Sequence, residues 1–278
     1  MTAHRAINLL LAFINAALLA ATTHAQVINV LVHPSDRVVT PTVYSAQIQP
    51  IEEADPVRSV ARQAALGGPV ILWIGRNPSD AQRNYPALIA EAARYSNIQH
   101  IYLYDELFWH DGSMAMGLHE AEVLQGARLA RAAGLQPLVT ILPDVILHTD
   151  FALADINALS GIAVDVYPSI RPTTPDLGGC RFSENHLENL MYCSAQKLRR
   201  MGFTGQIGYI YQAFGLHSQP EPLLRELLLL QRQAVDNAEA LGASAVMPWG
   251  LYLGRAELAR EPDLYPLAGT KLERLVRP

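Results

Sequence analysis

The fold is decided by a stretch that reads Ile101-Tyr102-Leu103-Tyr104-Asp105-Glu106-Leu107-Phe108-Trp109-His110-Asp111-Gly112. Its first four residues are apolar or aromatic, which is typical of a buried β-strand. Two adjacent carboxylates end this apolar run, and an aromatic cluster and a glycine follow them. Carboxylates beside aromatic rings at the exit of a buried strand are typical of a site that binds sugars.

Strand-like and helix-like segments alternate on both sides of this stretch. Short apolar runs, often rich in Val, Ile and Tyr, predict strands over residues 27–32, 42–48, 70–74, 98–104, 137–142, 161–167, 206–211 and 243–249. Helices are predicted over residues 56–65, 80–95, 117–133, 151–159, 184–201 and 222–241. Eight strands with intervening helices predict an α/β fold whose parallel sheet closes as a (β/α)8 TIM barrel. An open doubly wound sheet is the alternative, but no glycine-rich phosphate loop follows the first strand.

The N-terminus has the pattern of a secretory signal peptide. Arg5 precedes an apolar run over residues 9–21, and Thr23-His24-Ala25 offers small residues to a signal peptidase. We expect residues 1–25 to be removed and residues 26–278 to form one barrel domain; an uncleaved N-terminal anchor is the alternative. No later segment is long and apolar enough to span a bilayer. The mature chain is therefore expected to be exported, periplasmic or secreted, without a membrane span.

The net charge bears on the classes of binding partner to expect, and the cysteine content bears on whether a disulfide forms. The formal net charge is −5, and it becomes −6 without residues 1–25, which carry one arginine and no acid. This mild acidity gives no electrostatic reason to expect nucleic acid or an anionic membrane as a partner. Export permits a disulfide, and the two cysteines, Cys180 and Cys193, lie in one segment. We expect a bridge that closes a short loop; two free thiols are the alternative.

In a (β/α)8 barrel, function lies at the carboxyl ends of the strands. Polar and aromatic groups gather at these ends, namely His33, Gln47, Gln49, Trp73, Asp105, Glu106, Trp109, Asp144, Asp165, Tyr167, Tyr211, Gln212 and Trp249. Aromatic faces cover the apolar face of a sugar ring, and carboxylates and amides bond its hydroxyls. The sequence therefore predicts a cleft for carbohydrate. The nine histidines show no metal-ligand spacing, so neither a metal nor another cofactor is expected.

Strand alternation separates the two adjacent carboxylates. Successive side chains point to opposite faces of a strand, so Tyr102, Tyr104 and Glu106 are predicted to face the barrel axis. Asp105 is then expected to orient Glu106, to bond backbone donors or to cap the segment that follows. The same alternation places Asp165 of the sixth strand inward, across the barrel mouth from Glu106. Two such carboxylates can share glycosidic cleavage, one as the proton donor and one as nucleophile or base; structural hydrogen-bond acceptors are the alternative reading of both.

The other strand-end groups are expected to bind substrate or to orient the carboxylates. They are Asp105, Tyr167, Gln212, Trp249, Trp109 and His33. For the aromatic residues among them, a packing role in the core is the alternative. Asp144 is expected to be a helix N-cap, and a role in the site is the alternative.

At these residues the chain resembles the (β/α)8 glycoside hydrolases. In their largest clan the fourth strand ends in Asn-Glu, where Glu is the acid/base, a second Glu ends the seventh strand as nucleophile, and a Trp often ends the eighth. Tyr104-Asp105-Glu106 ends the fourth strand here. The resemblance therefore implies that Glu106 is the acid/base and that Trp249 is the aromatic residue of the eighth strand. It extends over residues 27–250.

The seventh strand departs from that pattern. It reads Gly208-Tyr209-Ile210-Tyr211-Gln212, so an amide occupies the position of the expected nucleophile. In one interpretation Asp165 replaces it, as in barrel families resembling α-galactosidases; in another the substrate supplies the nucleophile. The sequence hypothesis is an exported glycoside hydrolase-like barrel with Glu106 as general acid/base and Asp165 as second carboxylate. The alternative is a non-catalytic barrel that binds saccharide or is associated with an envelope polysaccharide.

Overall fold

The strands and helices follow one another in the order that the sequence predicts. The computed structural model describes residues 28–32, 46–50, 56–65, 70–74, 85–104, 106–107, 120–148, 151–167, 177, 179–212 and 221–249. The strands are β1 (Ile28–Val32), β2 (Ala46–Pro50), β3 (Val70–Trp73), β4 (Ile98–Tyr104), β5 (Gln136–Ile141), β6 (Gly161–Val166), β7 (Gln206–Gln212) and β8 (Ala245–Trp249). The helices are α1 (Pro56–Ala64), α2 (Tyr85–Ala92), α3 (Glu120–Ala132), α4 (Pro143–Leu147), α5 (His186–Arg200) and α6 (Glu221–Asp236).

The strands form a closed parallel barrel in chain order. Each strand pairs in parallel with the next, and β1 pairs with β8 through Ile28 opposite Ala245 and Asn29 opposite Val246. The predicted α/β class with a parallel, curled sheet is confirmed. Residues 1–25, the predicted signal peptide, lie outside the described residues. Among the helices described, none is both long and apolar enough to cross a membrane.

Buried side chains fall into two clusters that lie on opposite faces of the strands. The outer core joins strands to helices and includes Leu88, Ala127, Leu198, Ile101, Val139, Val164 and Tyr209. The inner core contains strand residues only, namely Ile71, Trp73, Tyr102, Leu138, Ala163, Ile210 and Ala245, and Tyr167 packs against it. A side chain that shares a strand face with the inner core therefore points into the barrel.

Helices α2 and α3 support the outer side of β4. The hydroxyl of Tyr85 donates a hydrogen bond to the carbonyl oxygen of Leu103 at 3.0 Å in a buried setting. Burial raises the pKa of Tyr85, so the phenol remains a donor. Gly126 of α3 permits this contact, because a Cβ at that position would lie 2.8 Å from the ring of Tyr85. These contacts fix the strand that leads to the central carboxylates.

Some local predictions are wrong. Residues 151–159 do not form a helix but contain a 3-10 turn at Ile156–Ala158, and the helix of this connection, α4, lies earlier, at Pro143–Leu147. Pro143 begins α4 because its fixed φ suits the first helical position. Leu142 is the N-cap residue, so Asp144 lies within the first turn and is not the cap.

Cys180 and Cys193 form the predicted disulfide, with their Cα atoms 5.9 Å apart. The bridge ties the chain that follows β6 to helix α5, since Cys193 is one of the residues of that helix. It thereby closes a short loop, and in the unfolded chain it removes conformational freedom.

Replacement of both cysteines by alanine is expected to lower the free energy of unfolding by about 3 kcal/mol, the value typical of a loop of this length. For a chain of this size the midpoint of thermal unfolding should fall by roughly 6–12 °C. Differential scanning calorimetry checks the shift. A reductant should lower the wild-type midpoint by a similar amount and leave the double variant unchanged; a double variant as stable as the wild type would contradict the role of the bridge.

Candidate active site

Asp165 is a buried carboxylate on the inner face of β6. Its neighbours on the same face, Ala163 and Tyr167, belong to or pack against the inner core, whereas Val164 and Val166 belong to the outer core. Asp165 lies between the first two and therefore shares their direction. Its exposed fraction is 2%. The structure thus places this carboxylate inside the barrel, in the C-terminal half of its strand.

The alternation predicted for β4 is interrupted by an irregularity. Tyr102 pairs with Leu138, and both belong to the inner core; the next pair is Tyr104 with Val139, and both belong to the outer core. Leu103 is the extra residue, as in a β-bulge. The predicted inward direction of Tyr104 is therefore wrong. Because of this irregularity, the alternation of side chains along β4 does not predict the direction of the Glu106 side chain.

Glu106 lies just beyond β4 in a left-handed backbone conformation, with φ at 49°. It is half-buried. The next residue, Leu107, is 1% exposed within the outer core. The N–H of Leu107 donates a hydrogen bond to the carbonyl oxygen of Thr140 at 2.8 Å, so the chain around Glu106 is attached to β5.

Strand β5 lies between Glu106 and Asp165. Thr140 connects the two sides, because its carbonyl oxygen accepts the N–H of Leu107 and its Cα pairs with Ala163, two residues before Asp165. Neighbouring strands lie about 4.8 Å apart, so two strand spacings amount to roughly 10 Å between backbones. The backbones of Glu106 and Asp165 therefore lie near each other at the same end of the barrel.

Aromatic and hydroxyl groups occupy the barrel interior on the strands next to these carboxylates. The rings of Trp73 and Tyr102 lie with centroids 5.7 Å apart at 45°. The hydroxyls of Tyr102 and Thr140 share a buried hydrogen bond. Sequence reasoning missed Thr140, although one polar residue within the apolar run Pro137-Leu138-Val139-Thr140-Ile141 was a signal that could have found it.

Asp144 is a third carboxylate at this end of the barrel. It follows β5 within the first turn of α4 and is half-buried. Burial raises the pKa of its carboxyl group. Carboxylates with a raised pKa occur often at functional sites, so Asp144 is a useful comparison for the two residues that the sequence predicts.

The segment between β6 and α5 is held in place by polar contacts as well as by the disulfide. The side chain of Asn189 accepts the backbone N–H groups of Phe182 at 2.8 Å and Ser183 at 3.0 Å. The buried carboxylate of Glu188 accepts hydrogen bonds from the hydroxyl of Ser183 and, at 2.6 Å, from Nδ2 of Asn237. The chain at Phe182 and Ser183 is thus attached to helix α5 and, through Glu188, to the residue that follows α6.

Several predicted site residues fall partly or wholly outside this description. Asp105, Trp109 and His33 lie outside the described residues, and Gln212 and Trp249 are described by their backbone alone. The Cα atoms of Gln212 and Trp249 are paired across β7 and β8, so these residues start from adjacent positions. Within the part of the chain that is described, no three His, Cys, Asp or Glu side chains are grouped to hold a metal ion.

Comparisons with known proteins concern the fold. No protein-family profile matches the sequence, and no curated protein matches it significantly. Among solved structures, the intracellular xylanase TsXylA of Thermoanaerobacterium saccharolyticum is similar at 11% identity and a TM-score of 0.50, with 83% of this chain and 88% of that chain covered. The PgaB (BpsB) glycoside hydrolase domain of Bordetella bronchiseptica is similar at 11% identity and a TM-score of 0.47, over 87% of this chain and 97% of that one. The chain therefore shares the barrel fold on which a xylanase is built.

Proposed function

We propose that this barrel hydrolyses glycosidic bonds, with Glu106 as the general acid/base and Asp165 as the second carboxylate. The observation that carries the proposal is the burial of Asp165 on the inner face of β6, toward the end of the barrel where enzymes of this fold have their sites. Burying a carboxylate is unfavourable, and such groups concentrate at functional sites. Glu106 lies on the other side of β5 from it, two strand spacings away.

The chemistry of the two groups is complementary. Glu106, protonated, gives its proton to the leaving oxygen of the glycosidic bond. Asp165, ionised, either attacks the anomeric carbon or removes a proton from the attacking water. A carboxyl separation of about 5 Å favours the covalent, retaining route, and one of roughly 6.5–9.5 Å leaves room for water and favours inversion. The backbones of Glu106 and Asp165 are separated by two strand spacings, roughly 10 Å, and their side chains are long enough to bring the carboxyl groups into either range.

The aromatic interior provides a reason to expect a sugar as the substrate. Tyr167 lies just beyond β6, packs against the inner core and is half-buried, and a partly exposed aromatic face of this kind covers the apolar side of a pyranose ring. We include Asp105, Tyr167, Gln212, Trp249, Trp109 and His33 as substrate-binding residues. Export of the mature chain, through the signal peptide at residues 1–25, belongs to the same proposal, and no cofactor is required for the chemistry.

A non-catalytic saccharide-binding barrel is the second candidate. It is favoured by Gln212, since an amide ends β7 where the resembled hydrolases have their nucleophile. An amide can bond a sugar hydroxyl but cannot attack an anomeric carbon. The two candidates predict the same ligand class and differ in turnover.

The experiment that separates them measures binding and cleavage side by side. Purified mature protein is tested against a panel of polysaccharides for affinity by calorimetry and for release of reducing ends. We expect at least one polysaccharide both to bind and to release reducing ends. Binding without release over the whole panel would support the second candidate, and neither binding nor release would contradict both.

A further inference from the structure

The backbone of Glu106 is unusual in the described part of the chain. Its φ of 49° lies in the left-handed region, and the other positive φ angles there belong to the glycines Gly134, Gly179, Gly202 and Gly242. A left-handed conformation is unfavourable for residues that carry a Cβ atom, and glutamate adopts it less readily than Asn or Asp. The conformation must therefore be maintained by the surrounding structure.

Two buried residues hold the chain on either side of Glu106. Tyr104 and Leu107 are each 1% exposed and belong to the outer core. The N–H of Leu107 also donates to the carbonyl oxygen of Thr140. While Tyr104 and Leu107 stay in the core and Leu107 stays bonded to Thr140, the chain around Glu106 has little room to relax.

Thr140 is itself fixed by contacts with the strands on both sides of it. It is completely buried, and its hydroxyl shares a hydrogen bond with Tyr102, whose ring packs against Trp73. Its Cα pairs with Ala163 of β6, on the strand that carries Asp165. Any shift of Thr140 would move the attachment of Glu106 relative to Asp165.

We propose that Thr140 is a positioning residue, which holds Glu106 in its strained backbone conformation and sets its place relative to Asp165. The hydroxyl bond to Tyr102 fixes Thr140, and the carbonyl bond to Leu107 passes that restraint to Glu106. The backbone strain at Glu106 is inferred from its φ angle and the contacts around it, independently of any activity. The effect of Thr140 on catalysis rests on the proposed function.

The strain is tested by comparing Glu106→Gly with Glu106→Ala. Glycine adopts a positive φ without penalty and alanine does not, so the glycine variant should unfold about 2–4 °C above the alanine variant. Glu122, exposed on α3, provides the control, since glycine should there be less stable than alanine. Thermal unfolding followed by circular dichroism gives both comparisons. A Glu106→Gly variant that is no more stable than Glu106→Ala would contradict the inference that the backbone of Glu106 is strained.

The role of Thr140 is tested by repeating the comparison in two further backgrounds. Thr140→Val removes the hydroxyl and keeps the shape, so Glu106 should relax and the advantage of glycine should shrink to less than about half. Thr140→Ser keeps the hydroxyl and should preserve the advantage. An undiminished advantage in the Thr140→Val background would overturn the positioning role, whether or not the protein cleaves any saccharide.

The catalytic consequence has its own measurement. On a polysaccharide that the wild type cleaves, Thr140→Val should lower kcat about 10-fold or more with little change in KM, because a displaced acid weakens the chemical step more than binding. Thr140→Ser should restore most of the rate. Equal kcat in wild type and Thr140→Val would contradict this consequence, while a panel without turnover would contradict the proposed function and leave the thermal comparisons decisive for Thr140.

Discussion

Glu106→Gln is expected to lower kcat on an unactivated oligosaccharide about 10²–10⁴-fold, the range that a positioned general acid contributes. The amide keeps the size of the carboxyl group and cannot give up a proton. Aryl glycosides with a nitrophenyl leaving group need little protonation of the leaving oxygen. The same variant should therefore lose much less of its rate on such a substrate. Initial rates on the two substrates, compared as a ratio, measure the effect.

Glu239→Gln is the matched control for this prediction, since Glu239 is exposed and lies beyond α6. It should retain the wild-type rate on both substrates. Equal losses by Glu106→Gln on the oligosaccharide and on the aryl glycoside would assign Glu106 a role other than proton donation. An unchanged rate on both would remove it from the site.

Asp165→Asn is expected to lower kcat by a similar factor on both substrates. A nucleophile or base acts at the anomeric carbon, so a better leaving group cannot replace it. If Asp165 is the nucleophile, added azide should restore part of the rate to an Asp165→Gly variant by occupying the vacated space and attacking in its place. Initial rates with and without azide measure both effects, and thermal unfolding verifies that the variants are folded.

Asp144→Asn is the comparison for Asp165, because it changes the other described aspartate at this end of the barrel by the same atoms. It should cost little activity. If Asp144→Asn were inactive and Asp165→Asn active, the second carboxylate would lie on the α4 side of β5, and the assignment to β6 would be wrong.

The fold was largely predictable because its signals are local. Each strand is a short apolar run bounded by turns, and β6 is buried along its whole length. On β6 the branched aliphatic residues alternate with Ala163 and Asp165. This alternation correctly predicts which side chains point into the barrel, because the pairing of β6 with both neighbouring strands is regular. The disulfide was predictable from two cysteines in one segment of a chain whose N-terminal sequence predicts export.

The candidate site was less predictable because it depends on pairing between distant segments. The irregularity in β4 arises from its register with β5, and no sequence feature within residues 98–104 predicts it. The left-handed conformation of Glu106 has the same origin, since Thr140 and the outer core impose it from elsewhere in the chain. The positioning role proposed for Thr140 depends on its bonds to Tyr102 and Leu107, which the sequence does not show.

The most direct test of the two-carboxylate account is the release of reducing ends from a bound polysaccharide by the mature wild type and by Glu106→Gln at equal concentration. The account predicts steady release by the wild type and at least about 100-fold slower release by the variant, with unchanged affinity. Equal release by both proteins would contradict it.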